Sequence, residues 1–192
     1  MVMRAIAKEA GYTAGAIYAY FPAKEALYAA LLGESLDRLT AVIHAASGGR
    51  DGAGARFTAA GLAFYDFYDA NPRDLDLGFY LFRGGIKPRG LTAELDAVLN
   101  THLVASLGPL TDTALELGVD ENTARAMTAE VFAHATGLLL LAHTRRLDLF
   151  GVDARHLLTR HLAALGGRGR SDGNADAVLA GASNPASTGT RP

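Results

Sequence analysis

Apolar positions recur along this chain at steps of three and four, and strand-like alternation is almost absent. Residues 3–10 (MRAIAKEA) read as a short helix with Ile6, Ala7 and Ala10 inward. Gly11 supplies a turn, and Thr13 can cap a second short helix running to about Tyr20. Pro22 suits the first turn of a longer third helix, where Leu27, Leu31, Leu32, Leu36, Leu39 and Ile43 form a stripe. The glycine-rich stretch 47–54 breaks that pattern. Beyond it, Phe57, Gly61, Phe64 and Tyr68 share one helical face, and Asn71-Pro72 reads as a cap and a restart. A helix with Leu75, Phe79 and Phe82 follows, then the basic loop RGGIKPRG, residues 83–90. A long helix starts at Leu91, with a kink expected at Gly108-Pro109 and an end at Gly118. Asp120 and Asp153 can cap two more helices, to about Arg146 and Leu165. The reading is all-α: residues 1–46 an N-terminal helix-turn-helix unit with its connecting helix, 47–165 a helical body, 166–192 a disordered tail rich in Gly, Ser and Ala.

The stretch AGYTAGAIYAYFPAKEAL, residues 10–27, is unusual for a core helix. Thr13, Ala14, Gly15 and Ala16 offer little apolar volume, yet Ile17 and Phe21 anchor the segment. Two short helices joined at a glycine, followed by a third, form a helix-turn-helix layout. Small residues on the early turns of the second helix let its backbone approach the major-groove floor. Thr13, Tyr18, Tyr20 and Lys24 then carry polar ends where phosphates would pass, and such contacts set register. Tyr12, Ala14 and Gly15 are the positions able to meet base edges, Ala14 by touching a thymine methyl.

IAKEAGYTAGAIYAYFPAKEALYAAL resembles the DNA-binding signature of the tetracycline-repressor (TetR) family. The shared features are the IA-x-x-AG helix, the turn, a small-residue recognition helix, Y-x-Y-F, and P-x-K-x-x-L opening the next helix. They cover roughly residues 2–32; the rest matches only in architecture. The resemblance implies a homodimeric transcriptional regulator, a repressor on a palindromic double-stranded DNA operator, released by a small ligand. By position it makes Thr13, Tyr18, Tyr20 and Lys24 phosphate contacts and turns Ala14 and Gly15 to the groove. The family has a further helix before the one starting near Met3, and this sequence is expected to lack it. An alternative follows: a dimeric small-molecule-binding helical protein that has lost DNA binding with that helix.

Charge modifies this picture. The net charge is −2, so any nucleic-acid surface is local. Within residues 1–50, Arg4, Lys8, Lys24, Arg38 and Arg50 barely outnumber Glu9, Glu25, Glu34 and Asp37. With no cysteine, disulfides and thiolate metal sites are excluded, which fits a reducing, cytoplasmic setting. The longest aliphatic run, residues 138–141, is far short of a membrane span. Aromatics on two adjacent helices predict an apolar pocket, with Phe64, Tyr68, Phe79, Phe82, His102 and His134 as lining residues for an apolar or aromatic ligand. No histidine pair has the i, i+4 spacing of a helical metal clamp, so neither a metal nor a cofactor is expected. Residues 131–142 (VFAHATGLLLLA) are apolar nearly all round and need cover on every side. The resemblance implies that the last two helices of each subunit build the dimer interface. No nucleophile-base motif or phosphate-cradling loop is present, so no enzymatic activity is expected.

Overall fold

The structure, a computed structural model, describes residues 3–78 and 91–181, with side chains as far as 167. The chain is all-α, and no strand occurs among the described residues. Helices α1 (Met3–Glu9), α2 (Ala14–Tyr20), α3 (Lys24–Gly48), α4 (Ala53–Ala70) and α5 (Pro72–Gly78) precede α6 (Ala93–Glu116), α7 (Glu121–His143) and α8 (Ala154–Gly181). A 3-10 turn, Leu147–Phe150, joins α7 to α8.

The expected caps form. Asp120 accepts from the backbone N–H groups of Asn122 and Thr123 at 2.9 and 3.1 Å, satisfying two donors that the start of α7 leaves free. Asp153 accepts from His156 N at 2.6 Å and does the same for α8. Helix α6 runs through Pro109, whose carbonyl takes the Thr113 hydroxyl at 2.6 Å.

By its internal contacts the chain divides into two compact units. The first is Met1–Ala45 with Ala63–Gly108, the second Ala46–Leu62 with Pro109–Pro192. This differs from the sequence-based division into 1–46 and 47–165, because residues 63–108 group with the N-terminal segment. The reason lies in α3, which is tied to later elements by specific bonds. Tyr28 donates to the Leu77 carbonyl at 2.6 Å, Arg38 pairs with Asp74 at 2.5 Å, and the Thr40 and Ser106 hydroxyls meet at 2.8 Å. Beneath these bonds Leu32, Leu36, Leu39, Ile43, Phe64, Tyr68 and Leu75 are buried. In the second unit Phe57, Leu110, Val131, Leu139, Leu158 and Leu162 form the core.

Three sequence expectations are corrected. Leu31 is exposed, because a twenty-five-residue helix turns its stripe away from a core lying mainly along Leu32, Leu36 and Leu39. Ala10 is also exposed, since it sits beyond the last turn of α1. Helix α8 continues to Gly181 rather than ending near Leu165. The run Ala175 to Ala180 holds three alanines and a leucine, residues of high helix propensity. Phe79, Phe82 and the basic loop 83–90 lie outside the described residues.

Candidate nucleic-acid interface

The turn between α1 and α2 is built from the backbone outward. Gly11 has φ +74°, a conformation open to glycine, and two bonds close the end of α1. Tyr12 N donates to the Ala7 carbonyl at 2.8 Å and Gly11 N to the Lys8 carbonyl at 3.2 Å. This pair of bonds is the Schellman stop, and it fixes the angle at which the chain leaves α1. Thr13 then caps α2, its hydroxyl accepting from Ala16 N at 3.2 Å. One acceptor position on Thr13 is therefore used inside the protein, while its hydroxyl proton remains able to donate to a phosphate oxygen.

Helix α2 contributes no fully buried residue. Ile17 and Phe21 are half-buried and hold it to the unit, and Phe21 N closes its end on the Ile17 carbonyl at 2.8 Å. The opposite side is open. Tyr12, Tyr18 and Tyr20 are 66, 47 and 82% exposed, Thr13 and Gly15 are exposed, and Ala14 is half-buried. A Cβ on Gly15 would meet nothing within 4 Å, so nothing in the fold itself demands glycine there. Lys24, exposed at the start of α3, lies 3.6 Å from the half-buried Glu25, whose carboxylate competes with any phosphate for the ammonium. The sequence reading missed that competition, although the adjacent charges were visible in it.

Residues 1–31 match the family model for bacterial regulatory proteins of the tetR family. The N-terminal segment is a tetR-family DNA-binding motif. It marks the chain as a transcriptional regulator. Among solved structures, that of SCO4313, a candidate regulatory protein, is similar at a TM-score of 0.68 and 18% identity, covering 86% of this chain and 85% of that one. A protein of unknown function from Rhodococcus sp. RHA1 has the same TM-score at 24% identity, covering 86% and 83%. At such identities the likeness is one of fold. No curated protein matches the chain.

Of the residues expected to line a ligand pocket, Phe64, Tyr68, His102 and His134 fall among the described residues. Phe64 and Tyr68 pack edge to face with ring centroids 5.1 Å apart, both buried in the first unit. Burial, with the Asp74 charge second, pushes the Tyr68 hydroxyl up to about 12, so it stays protonated. His102 reaches 3.0 Å from Asp37 on the surface of the same unit. His134 belongs to the second unit and stacks on His161. A cavity of about 540 Å³ occurs elsewhere in that second unit, lined by residues 51–55, Thr58, Glu116, Leu117, Leu162, Ala163 and Gly166. Arg56 bonds to Glu116 at its rim. No helix among the described residues is long and apolar enough to cross a membrane, and no group of three metal-ligating side chains occurs among them.

Proposed function

We propose that this tetR-type regulator is a homodimeric repressor that binds a palindromic double-stranded DNA operator and leaves it when a small apolar or aromatic ligand binds the helical body. The observation that carries the reading is the match over residues 1–31, which falls on a helix whose outward side is small or tyrosine-bearing. Tyr12, Ala14 and Gly15 meet the groove; Thr13, Tyr18, Tyr20 and Lys24 meet phosphates. Thr13 combines this with capping α2, as serine and threonine caps do at helix starts that face phosphate.

Dimerisation through α7 and α8 is supported by apolar surface on α7. Leu140 and Leu141 are 48 and 39% exposed, beside the exposed Ala126, Ala129 and Ala133 on the same helix. A two-fold dimer suits a palindromic site, because two recognition helices then meet two half-sites. Residues 47–165 serve as the ligand-binding and dimerisation body, and the working compartment is the cytoplasm, where operator DNA lies. No enzymatic reaction forms part of the reading.

The test is binding to a short duplex library at several salt concentrations. The reading expects one palindromic sequence to be selected and log affinity to fall linearly with log salt. Equal affinity for every duplex would refute it.

A further inference from the structure

Two histidines that the DNA reading does not use meet inside the second unit. His134 of α7 and His161 of α8 stack with ring centroids 4.1 Å apart and planes 25° from parallel. The Nε2 atoms of both rings are shut off from solvent, and neither has a hydrogen-bond partner. Such geometry suits two neutral imidazoles, or one neutral and one charged. It does not suit two imidazolium ions, whose charges would face each other across a few ångströms with no acceptor for either Nε2 proton.

We propose that the His134–His161 stack is a proton-sensitive latch between α7 and α8, closed when the pair is neutral and loosened when it takes up protons.

The surroundings supply little to offset such a charge. On α7, Glu130 lies one turn before His134 but is exposed. On α8, Arg160 adjoins His161 and adds positive charge, and no carboxylate occurs from Leu157 to Leu165. In α4, which reaches α8 at Gly61 and Leu162, no charged residue occurs from Phe57 to Tyr65. Of the acidic residues in the later part of α6, Asp112 is exposed and Glu116 is engaged by Arg56. Asp148, in the 3-10 turn against α7, is held by Arg145 at 2.8 Å. Consistent with this, burial first and the His161 charge second hold the His134 ring below the ordinary imidazole value of 6.5.

Because the folded chain resists a proton at His134 that the unfolded chain accepts, the stability this ring contributes is complete above about pH 6.5 and declines as acid is added. Each proton taken up only on unfolding raises the unfolding constant up to about tenfold per pH unit within that window.

The experiment titrates the histidine ring protons of the full chain by NMR, in wild type, His161→Gln and His134→Gln. The latch predicts that the His134 midpoint moves upward when His161 is removed. It also predicts that, between pH 7.5 and pH 5, the unfolding constant in urea rises several-fold more for wild type than for either variant. Should a glutamine variant fail to fold, His161→Phe keeps an aromatic ring in the stack without a titrating group and serves the same comparison. A His134 midpoint indifferent to residue 161, or an equal pH dependence in all chains, would overturn the proposal.

Discussion

A Cβ placed on Gly61 would lie 2.5 Å from Leu162 Cδ2 and 2.9 Å from its Cδ1, so α4 and α8 approach as closely as they do because residue 61 has no side chain. Leu162 is fully buried, so a side chain at residue 61 must displace it within the core. Gly61→Ala gains up to about 1 kcal/mol of helix propensity but crowds a core in which overpacking costs about 1–3 kcal/mol. The expected net result is destabilisation by about 1 kcal/mol in urea unfolding. Adding Leu162→Ala to the variant should cost less than the same change in the wild type, since part of the cavity is already filled. Additive effects in that cycle would deny the contact.

Arg145 has φ 56°, a left-handed conformation that few side chains adopt, at the residue following Thr144, the C-cap of α7. Arg145 N and Arg146 N donate to the carbonyls of Ala142 and Leu141, both at 2.8 Å, the same Schellman arrangement that Gly11 makes after α1. Glycine relieves a strain of about 1–2 kcal/mol there. It forfeits the exposed Arg145–Asp148 pair, which contributes about 0.2–1 kcal/mol. Arg145→Gly is therefore expected to raise thermal stability slightly, by calorimetry. A clear loss would mean that the arginine side chain contributes more than its exposed pair suggests.

These two relationships also mark how far the sequence could be read. The α1–turn–α2 segment was legible because its determinants are local: Gly11, the Thr13 cap and the small face of α2 lie within one short stretch. The caps at Asp120 and Asp153 were legible for the same reason. Gly61 could be placed on the buried face by periodicity, but not against Leu162, since periodicity gives the face of a helix and not its neighbour. The same limit hid the stacking of His134 on His161 and the ties from α3 to Asp74 and Ser106. The predicted pocket gathered aromatics by sequence proximity, and aromatics close in sequence also pack on one another, as Phe64 and Tyr68 do.

Asp120 offers an acid-side test. Its bonds from Thr123, side chain first, hold its carboxyl below the ordinary aspartate value. A carboxyl depressed in the folded state lends stability above its unfolded value of 3.8, and that stability is lost as pH falls through the folded value. Asp120→Asn keeps an oxygen that can cap α7 but does not titrate. Acid unfolding followed by circular dichroism should therefore show a shallower decline below pH 4 for the variant. An unchanged profile would assign the acid sensitivity to other groups.

On the DNA-facing side, three substitutions separate close approach from charge. Gly15 has open space around it, so Gly15→Leu should leave the fold intact while holding the α2 backbone away from the groove floor. The expected outcome is near-complete loss of sequence-selective binding with a melting temperature no lower than that of the wild type. Lys24→Ala should instead weaken binding about equally on every duplex and reduce the salt slope by roughly two units per dimer, one phosphate contact being lost from each subunit. Glu25→Gln removes the carboxylate that now holds Lys24 at 3.6 Å, and should strengthen binding to all sequences, most at low salt. The three responses differ in kind: loss of selectivity, a flatter salt dependence, and a uniform gain. Electrophoretic or fluorescence titrations on matched specific and random duplexes distinguish them. If Gly15→Leu keeps its sequence preference, or if Lys24→Ala leaves the salt slope unaltered, this side of α2 and the start of α3 do not face DNA.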